Sequence, residues 1–331
     1  MLKCYPGILL ALSVTLVSSI LVWFEKTLFG FEALDGLVFA IILGTLVKTV
    51  VGVGPKMRDG VDFSAKYLLE IAVVLLGATV SVTTIADAGV RVVIIVVATV
   101  LSSLAISYGI GRVLGLSDRL ATLVACGNSI CGNSAIVAAA PVIGAKSDDV
   151  AASIAFTAAL GILVVLLLPL LFSMLHLTEI QYGMFAGLTV YAVPQVLAAT
   201  APIGGLSVQM GTLVKLMRVL MLGPVVLVLR LKSGWSDRAQ KPISITQLVP
   251  WFIVGFFIAM CLRSIGCFSP LAVETASQSS TILTTVSMAA LGLSVNLRTV
   301  FSSGGRVLLA GVLSLTSLGL LGLVALAVVQ P

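Results

Sequence analysis

A tandem Cys-Gly-Asn-Ser motif at positions 126–134 holds the residues best suited to chemistry. It lies inside the uncharged window Leu120–Ala145, which is long enough to cross a bilayer. Gly, Asn and Ser are poor helix formers, and Asn and Ser favour helix caps. Non-helical backbone at membrane depth is tolerated only inside protein or against a water-filled cavity. The motif therefore predicts an interrupted helix beside a solvated pocket.

The interruption would create a helix N-terminus in mid-membrane. The short helix would be Ala135–Ala140, with Asn133 or Ser134 as its N-cap. Free backbone N–H groups and the positive end of the helix dipole suit an anion. The neutral donors expected beside it are Asn128, Ser129, Asn133 and Ser134. The alternative is a small-residue face for helix packing, although packing alone does not require two Asn residues.

A second interruption is predicted at Tyr191-Ala192-Val193-Pro194-Gln195. Proline removes a backbone hydrogen bond and kinks a helix, and Gln195 is polar at mid-membrane. The following residues 199–204 resemble residues 138–144 after the first motif. Two interrupted segments in corresponding settings point to a transporter's binding site. The alternative is an ordinary proline kink.

Three charged residues inside apolar segments complete the set of candidates. Lys215 and Arg218 are three residues apart, so they share one helix face and could draw an anion. The alternative is an ion pair with Glu70, the nearest candidate acid. Glu70 could instead pair with Lys66, one turn earlier, or carry a coupling proton.

Composition shows which elements must position these residues. Of the 331 residues, 59% are hydrophobic and 10% are charged, against about 25% charged in soluble domains. The net charge of +6 does not indicate nucleic acid, because the basic residues lie in short gaps between apolar runs rather than in a patch. The sequence thus predicts an all-α polytopic membrane protein in a lipid bilayer.

About eleven transmembrane helices are expected, since each needs about 20 mostly apolar residues. The first could instead be a signal peptide, but its apolar core is long and no convincing cleavage site follows. The predicted spans are 5–24, 34–54, 60–83, 90–113, 119–142, 149–175, 180–201, 205–230, 247–266, 274–296 and 305–328.

Basic residues set the orientation of these spans, because cytoplasmic loops are enriched in Lys and Arg. With the N-terminus inside, twelve basic residues fall in inside loops: Lys3, Lys56, Arg58, Lys66, Arg112, Arg119, Arg230, Lys232, Arg238, Lys241, Arg298 and Arg306. Four fall outside: Lys26, Arg91, Lys146 and Arg263. The prediction is a cytoplasmic N-terminus and a C-terminus on the other side.

An internal repeat relates two segments at an offset of 215 residues. Leu76–Val80 matches Leu291–Val295, and each is followed by a Thr and then by a Gly-x-Arg-Val sequence. The copies lie seven predicted spans apart, an odd number, so they would face opposite ways. That is an inverted-topology repeat, which is typical of secondary transporters. The repeat elements are placed at about 34–113 and 247–328.

These motifs together resemble the YeiH-type family of bacterial inner-membrane proteins, described as sulfate exporters. The resemblance covers most of the chain. It rests on residues 126–136, on Gln195-Val196 with Ala198-Ala199, and on Lys215–Val219 leading to Pro224. It implies a fold similar to the sodium–proton antiporter and bile-acid symporter superfamily, with two discontinuous helices (119–142 and 180–201) crossing near the midplane. The whole chain, 1–331, would form one transporter domain.

One departure affects coupling. Many members of that family carry a His-Glu pair just before the Gln of the second interruption, where this chain has Tyr191 and Ala192. If that pair carries a proton elsewhere, coupling here would use another group such as Glu70, or would be absent.

The expected function is a secondary transporter, probable direction export, of a small anion such as sulfate, sulfite or an organosulfur anion. Alternatives are an anion channel and a cation- or proton-coupled symporter of an organic anion. An enzyme is not expected, because the sequence has no His-Glu-x-x-His, no Walker motif and no histidine near Cys126 or Cys131. No cofactor or metal is expected; H+ or Na+ is the candidate coupling ion, and a homodimer stays open.

Overall fold

The computed structural model describes residues 4–29, 36–80, 89–232, 250–295 and 305–329. Within those ranges the chain is helical and has no strand, which confirms the all-α fold class. The elements are α1 (Tyr5–Phe29), α2 (Gly36–Val50), α3 (Pro55–Phe63), the π-helical turn π1 (Ser64–Leu68), α4 (Leu69–Gly77), α5 (Gly89–Val113), α6 (Asp118–Cys126), the π-helical turn π2 (Gly127–Cys131), α7 (Asn133–Val142), α8 (Ser147–Met174), α9 (Glu179–Thr189), α10 (Val193–Thr200), α11 (Gly205–Leu220), α12 (Leu222–Lys232), α13 (Trp251–Ser264), α14 (Pro270–Ser294) and α15 (Gly305–Val329).

Some predicted features lie outside the described residues. They are the repeat positions Thr84, Thr299 and Gly304, the basic residues Lys3, Arg238, Lys241 and Arg298, and the span edges at 34–35, 81–83, 247–249 and 296.

Apolar helices long enough to cross a bilayer recur along the described chain. Large apolar side chains point out of them, such as Leu170 and Val228, which are 60% and 63% exposed. Such exposure is stable against lipid and costly against water. These spans are Tyr5–Thr27, Val90–Val113, Ser147–Met174, Gly205–Lys232 and Gly305–Val328, with shorter apolar helices at Gly36–Val50, Asn133–Val142 and Trp251–Ser264. The protein is therefore an integral membrane protein with several helical spans.

Local sequence explains where several helices begin. The Ser117 hydroxyl accepts a hydrogen bond from the Leu120 N–H and caps α6. Thr178 and Gln181 form a reciprocal capping box at the start of α9. Ser269 caps α14, and Pro270 occupies its first turn, where a missing N–H costs nothing.

The described helices belong to two compact units. Unit 1 contains α1, α2, α3, π1, α4, α13 and α14, together with residues 197–200 of α10. Unit 2 contains α5, α6, π2, α7, α8, α9, α11, α12 and α15, and the first residues of α10.

Unit 1 carries the repeat in its helix crossings. A Cβ on Gly77 would collide with the carbonyl oxygen of Phe256, and a Cβ on Gly292 would collide with the carbonyl oxygen of Ile41. Both members of the second pair lie 215 residues from a member of the first, Gly292 from Gly77 and Phe256 from Ile41. Small residues allow such close approach of helices in a membrane. The sequence repeat is thus also a repeat of packing.

Two serines of α14 tie unit 1 together along the chain. The Ser280 hydroxyl donates to the carbonyl of Ala72 at 2.8 Å, and the Ser287 hydroxyl donates to the carbonyl of Ser64 at 3.1 Å. Because the contact numbers rise on one element as they fall on the other, α14 runs antiparallel to the π1–α4 segment.

In unit 2, the chain folds back at the first interruption. The side chain of Ile136 lies against Gly127, where a Cβ would be 2.9 Å from Ile136 Cδ1. Nine residues would separate these positions by about 13.5 Å in a straight helix. The reversal occurs at Gly132, whose φ of 66° and ψ of −127° suit glycine alone. We call α6, π2 and α7 together hairpin 1, with α7 as its return limb.

The second interruption reverses the chain as well. Gly183 packs on Ser207 and Gly187 packs on Gly211, so α9 and α11 run in the same direction. The chain must therefore return between them, and Gly204 accordingly lies against the carboxylate of Glu179. We call residues 179–200 hairpin 2, with α10 as its return limb.

Helix α15 shows that the two hairpins enter unit 2 from opposite ends. Along α15, Arg306 lies near Gly115, just before hairpin 1, and the Ser314 carbonyl accepts a hydrogen bond from the Asn128 side chain. Farther on, Gly322 packs on Phe185 of hairpin 2. The interruptions lie where the sequence predicts them. The difference is that each interrupted segment returns instead of continuing as a span, because a glycine or extended backbone reverses the chain.

Candidate functional site

The site is built where the tips of the two hairpins meet inside unit 2. From Asp118 to Cys131 hairpin 1 rises by about 20 Å, so its tip lies deep in the hydrocarbon layer. A Cβ on Gly132 would lie 3.2 Å from Cβ of Tyr191, at the tip of hairpin 2.

Asn128 is fully buried, and it joins the two tips. Its Nδ2 donates to the Ser107 hydroxyl at 3.0 Å and to the Ser314 carbonyl at 3.1 Å. Its Oδ1 accepts a hydrogen bond from the Tyr191 hydroxyl at 3.1 Å. Both ends of the amide are used, so Asn128 acts in the structure as a fastener.

Ser129 is also fully buried. Its hydroxyl is 2.8 Å from the hydroxyl of Ser103 on α5, with which it shares a hydrogen bond. The predicted donors Asn128 and Ser129 are thus engaged with protein partners in this structure.

Asn133 and Ser134, by contrast, are exposed at the start of α7. The Thr157 hydroxyl donates to Asn133 Oδ1 at 2.5 Å, which leaves the Asn133 Nδ2 group directed elsewhere. The first N–H groups of a helix have no partner within it. Polar side chains at this depth need water rather than lipid around them. Asn133 and Ser134 therefore present amide, hydroxyl and backbone N–H donors to a wet opening.

Lys215 is completely buried on α11, and it bridges the two hairpins. Its Nζ donates to the carbonyl of Ile130 and to the carbonyl of Val190, each at 2.7 Å. These carbonyls end π2 and α9, the inbound limbs of hairpin 1 and hairpin 2.

Arg218, one turn farther along α11, is also completely buried. On the hairpin 1 side its Nε donates to the Ser129 carbonyl at 3.2 Å and its Nη2 to the Asn128 carbonyl at 3.1 Å. On the hairpin 2 side its Nη1 donates to the carbonyls of Gly187 and Val190 at 2.9 and 3.2 Å. Cations at helix C-termini satisfy orphan carbonyls and offset the negative end of the dipole.

Small residues make this bridge possible. A Cβ on Gly187 would meet the carbonyl oxygen of Gly211 at 2.6 Å, so α9 and α11 touch backbone to backbone there. The close approach lets Arg218 reach carbonyls of α9 with a side chain that spans both hairpins.

Gln195 is buried at the start of the hairpin 2 return limb. Its Oε1 accepts a hydrogen bond from the Ala192 N–H at 3.1 Å, which caps the beginning of α10. On α8, a Cβ on Gly161 would lie 2.8 Å from this oxygen, so Gly161 makes the space for the Gln195 side chain.

Glu70 lies in unit 1, away from the set that unit 2 brings together. Its Oε2 accepts a hydrogen bond from the Trp251 Nε1 at 2.7 Å. Lys66 lies 5.3 Å from the centre of the Tyr67 ring. The partners of Lys215 and Arg218 are carbonyls, so neither of the ion pairs considered for Glu70 is formed within the described residues.

Several residues of the site were missed by sequence reasoning. Ser103 and Ser107 are four residues apart on α5 and form a polar stripe in an apolar helix, which is a signal visible in the sequence. Tyr191 and Thr157 carry no such signal, because their roles depend on a partner distant in the chain. Within the described ranges, no group of three His, Cys, Asp or Glu side chains could hold a metal ion.

Comparisons with known proteins give the chain its relatives. A family model described as conserved hypothetical protein 698 matches residues 6–311. A UPF0324 membrane protein of Brucella melitensis is 55% identical over 313 residues, covering 95% of this chain and 87% of that protein. One from Agrobacterium fabrum is 51% identical, covering 96% and 90%, and one from Bacillus cereus is 33% identical, covering 95% and 89%. The matches agree with the resemblance found in the motifs.

Proposed function

We propose that this chain, which belongs to the conserved hypothetical protein 698 family, is a secondary transporter of a small anion. The observation that carries the proposal is the exposed start of α7, where Asn133 and Ser134 offer donors deep in the membrane. A sulfur oxyanion such as sulfate or sulfite, or an organosulfur anion, suits such donors.

Electrostatics favours an anion over a cation at this point. The start of α7 carries the positive end of a helix dipole. The buried charges of Lys215 and Arg218 lie on neighbouring carbonyls, and their described partners include no carboxylate. Two uncompensated cations in low dielectric raise the potential around them. In this proposal both residues act on the anion through that potential while they hold the tips.

Asn128, Ser129 and Gln195 then serve the site indirectly. Their hydrogen bonds fix the hairpin tips and so fix the position of the α7 N-terminus. Direct binding falls to Asn133 and Ser134. The joined tips favour a carrier over an open channel, because the Tyr191–Asn128 hydrogen bond closes the gap between the hairpins.

The remaining parts of the proposal concern energy and place. Transport would proceed by alternating access in a bacterial inner membrane, without chemical conversion of the substrate. Glu70 is the proposed group for coupling to H+ or Na+. Replacing it, Glu70→Gln, should remove the ion-gradient dependence of flux while exchange of labelled for unlabelled anion continues; unchanged gradient dependence would exclude Glu70.

Flux in proteoliposomes tests the function. Purified protein should take up labelled sulfate, sulfite or thiosulfate with saturation and with counterflow, whereas a channel shows no counterflow. Ser134→Ala and Asn133→Ala should each lower uptake at least about 10-fold, the effect of losing roughly 1.4 kcal/mol.

The matched control is Ser13→Ala. Ser13 is an exposed serine of α1 whose hydroxyl bonds only to the Leu9 carbonyl of its own helix, so uptake should be unchanged. Equal uptake by the Ser134→Ala, Asn133→Ala and Ser13→Ala proteins would remove the assigned site.

A further inference from the structure

The two ends of unit 2 differ sharply in charge. At the end where hairpin 1 begins and ends, the described basic residues are Arg112, Arg119, Lys146, Arg230, Lys232 and Arg306. At the end where hairpin 2 begins and ends, only Arg91 is described.

Contacts place these basic residues at one end. The Tyr108 hydroxyl donates to Asp118 Oδ1 at 2.5 Å, and Lys232 Nζ lies 5.3 Å from the centre of the Tyr108 ring. The end of α5, the start of α6 and the end of α12 therefore meet there. Arg306, at the start of α15, lies near Gly115 in the same region.

Lys146 belongs to this end because hairpin 1 returns. It directly precedes α8, whose Thr157 reaches the hairpin 1 tip after ten residues and which then runs on to Met174. Had residues 118–142 crossed the membrane, Lys146 would lie on the opposite side from Arg119.

From this geometry we infer that residues 118–142 and 179–200 are re-entrant hairpins, that hairpin 1 opens to the cytoplasm, and that its return limb lines the water path to Asn133 and Ser134. Cytoplasmic loops collect Lys and Arg, which assigns the basic end to the cytoplasm. Among the described helices nine crossings remain, formed by α1, α2, α3–α4, α5, α8, α11–α12, α13, α14 and α15.

The orientation of the repeat survives this change. The α3–α4 crossing is then the third and α14 the eighth, and five crossings between them still invert one copy relative to the other. What changes is the side of two loops: residues 143–146 become cytoplasmic and residues 175–178 external, the reverse of the eleven-span prediction.

The water path follows from burial along the two return limbs. On α7 the exposed residues Asn133, Ser134, Val137 and Pro141 recur every three or four positions and form one stripe from the tip to the cytoplasmic end. On α10 every residue from Val193 to Thr200 is buried. The structure is therefore open along hairpin 1 and closed along hairpin 2, so this state accepts substrate from the cytoplasm. Only the identity of that substrate rests on the proposed function.

Single cysteines and a membrane-impermeant maleimide test the topology in the full-length chain. The background carries Cys4→Ser, Cys261→Ser and Cys267→Ser, and keeps the buried Cys126 and Cys131. Ser147→Cys should react in inside-out vesicles and stay unlabelled in spheroplasts, and Leu175→Cys should do the reverse. Labelling of Ser147→Cys in spheroplasts, or of Leu175→Cys only in inside-out vesicles, would overturn the re-entrant assignment.

The same reagent tests the path. Ser134→Cys should react from the cytoplasmic side, whereas Val196→Cys, which is fully buried on the other return limb, should not. A Ser134→Cys protein that stays monodisperse but is unreactive, or that reacts only from outside, would overturn the cytoplasmic opening.

Protection by sulfate separates this inference from the proposed function. Labelling of Ser134→Cys that sulfate, sulfite and thiosulfate all fail to slow would count against the anion site. The reactivity pattern alone would still confirm or reject the hairpins.

Discussion

Hairpin 1 and hairpin 2 contain the same parts but present them differently. Each has an inbound limb whose last carbonyls accept hydrogen bonds from Lys215 and Arg218, and each has a return limb that begins near mid-membrane. In hairpin 1 the return limb starts with Asn133 and Ser134 exposed. In hairpin 2 it starts with the buried Gln195, which caps it internally.

The difference teaches that a broken helix is not by itself a binding site. Both helix N-termini carry the same dipole, but the N-terminus of α10 is capped by its own side chain and covered. Only the N-terminus of α7 is available to a ligand. One hairpin binds in this proposal, while the other holds the geometry.

The largest expected effect comes from removing the bridge that both hairpins share. Arg218→Met deletes four hydrogen bonds to buried carbonyls, each worth about 1 kcal/mol or more. We expect a loss of at least about 4 kcal/mol of stability, a large fall in Tm in detergent, and loss of uptake.

The control for the bridge is Arg119→Met, which removes an exposed arginine from the base of hairpin 1. It should leave the Tm unchanged. An Arg218→Met protein as stable as this control would show that the cation is dispensable for joining the hairpins.

The next effect isolates the tip of hairpin 1. Gly132→Ala puts a side chain at φ 66°, ψ −127°, which costs about 1–3 kcal/mol, and brings Cβ close to Tyr191. A lower Tm and impaired uptake should follow.

Gly109→Ala is the matched control for the tip. This helical glycine of α5 has open space around it, so alanine should be neutral or stabilising. Equal Tm values for the Gly132→Ala and Gly109→Ala proteins would contradict the conformation assigned to the tip.

A crossed pair of substitutions sharpens the contrast between the return limbs. Gln195→Ala removes the cap of α10, which should lower stability by about 1 kcal/mol. Ser134→Ala removes an exposed hydroxyl, so it should weaken anion uptake and leave the Tm within about 1 °C. If Gln195→Ala left the Tm unchanged while Ser134→Ala lowered it, the roles of the two hairpins would be reversed.

The smallest effect is expected from the bond between the tips. Tyr191→Phe deletes the hydroxyl that donates to Asn128 and leaves Asn128 Oδ1 without that donor, a loss of about 1 kcal/mol. The measurement is the Tm together with the apparent affinity for the transported anion. Tyr108→Phe at the cytoplasmic end, which also loses one hydroxyl hydrogen bond, is the comparison for stability; identical uptake by both would show that the tips need no fastening.

Local sequence chemistry alone determined that this is a multi-span helical membrane protein, that its helices are interrupted at Cys126–Ser134 and near Pro194, and that part of the chain repeats after 215 residues. Composition and helix propensity act over a few residues, so these features are readable without a fold. The glycines of the repeat were visible too, although not the crossings that they form.

Only the tertiary structure decided in which direction the chain leaves each interruption. A glycine permits many backbone conformations, and the one at Gly132 is set by packing against Tyr191 and α8. Tertiary contacts also divided the predicted donors, because Asn128 and Asn133 look equivalent in the motif, yet one is fully bonded and the other exposed. The partners of Lys215 and Arg218 lie 25–90 residues away in the chain, and no local pattern encodes a hydrogen bond across that separation.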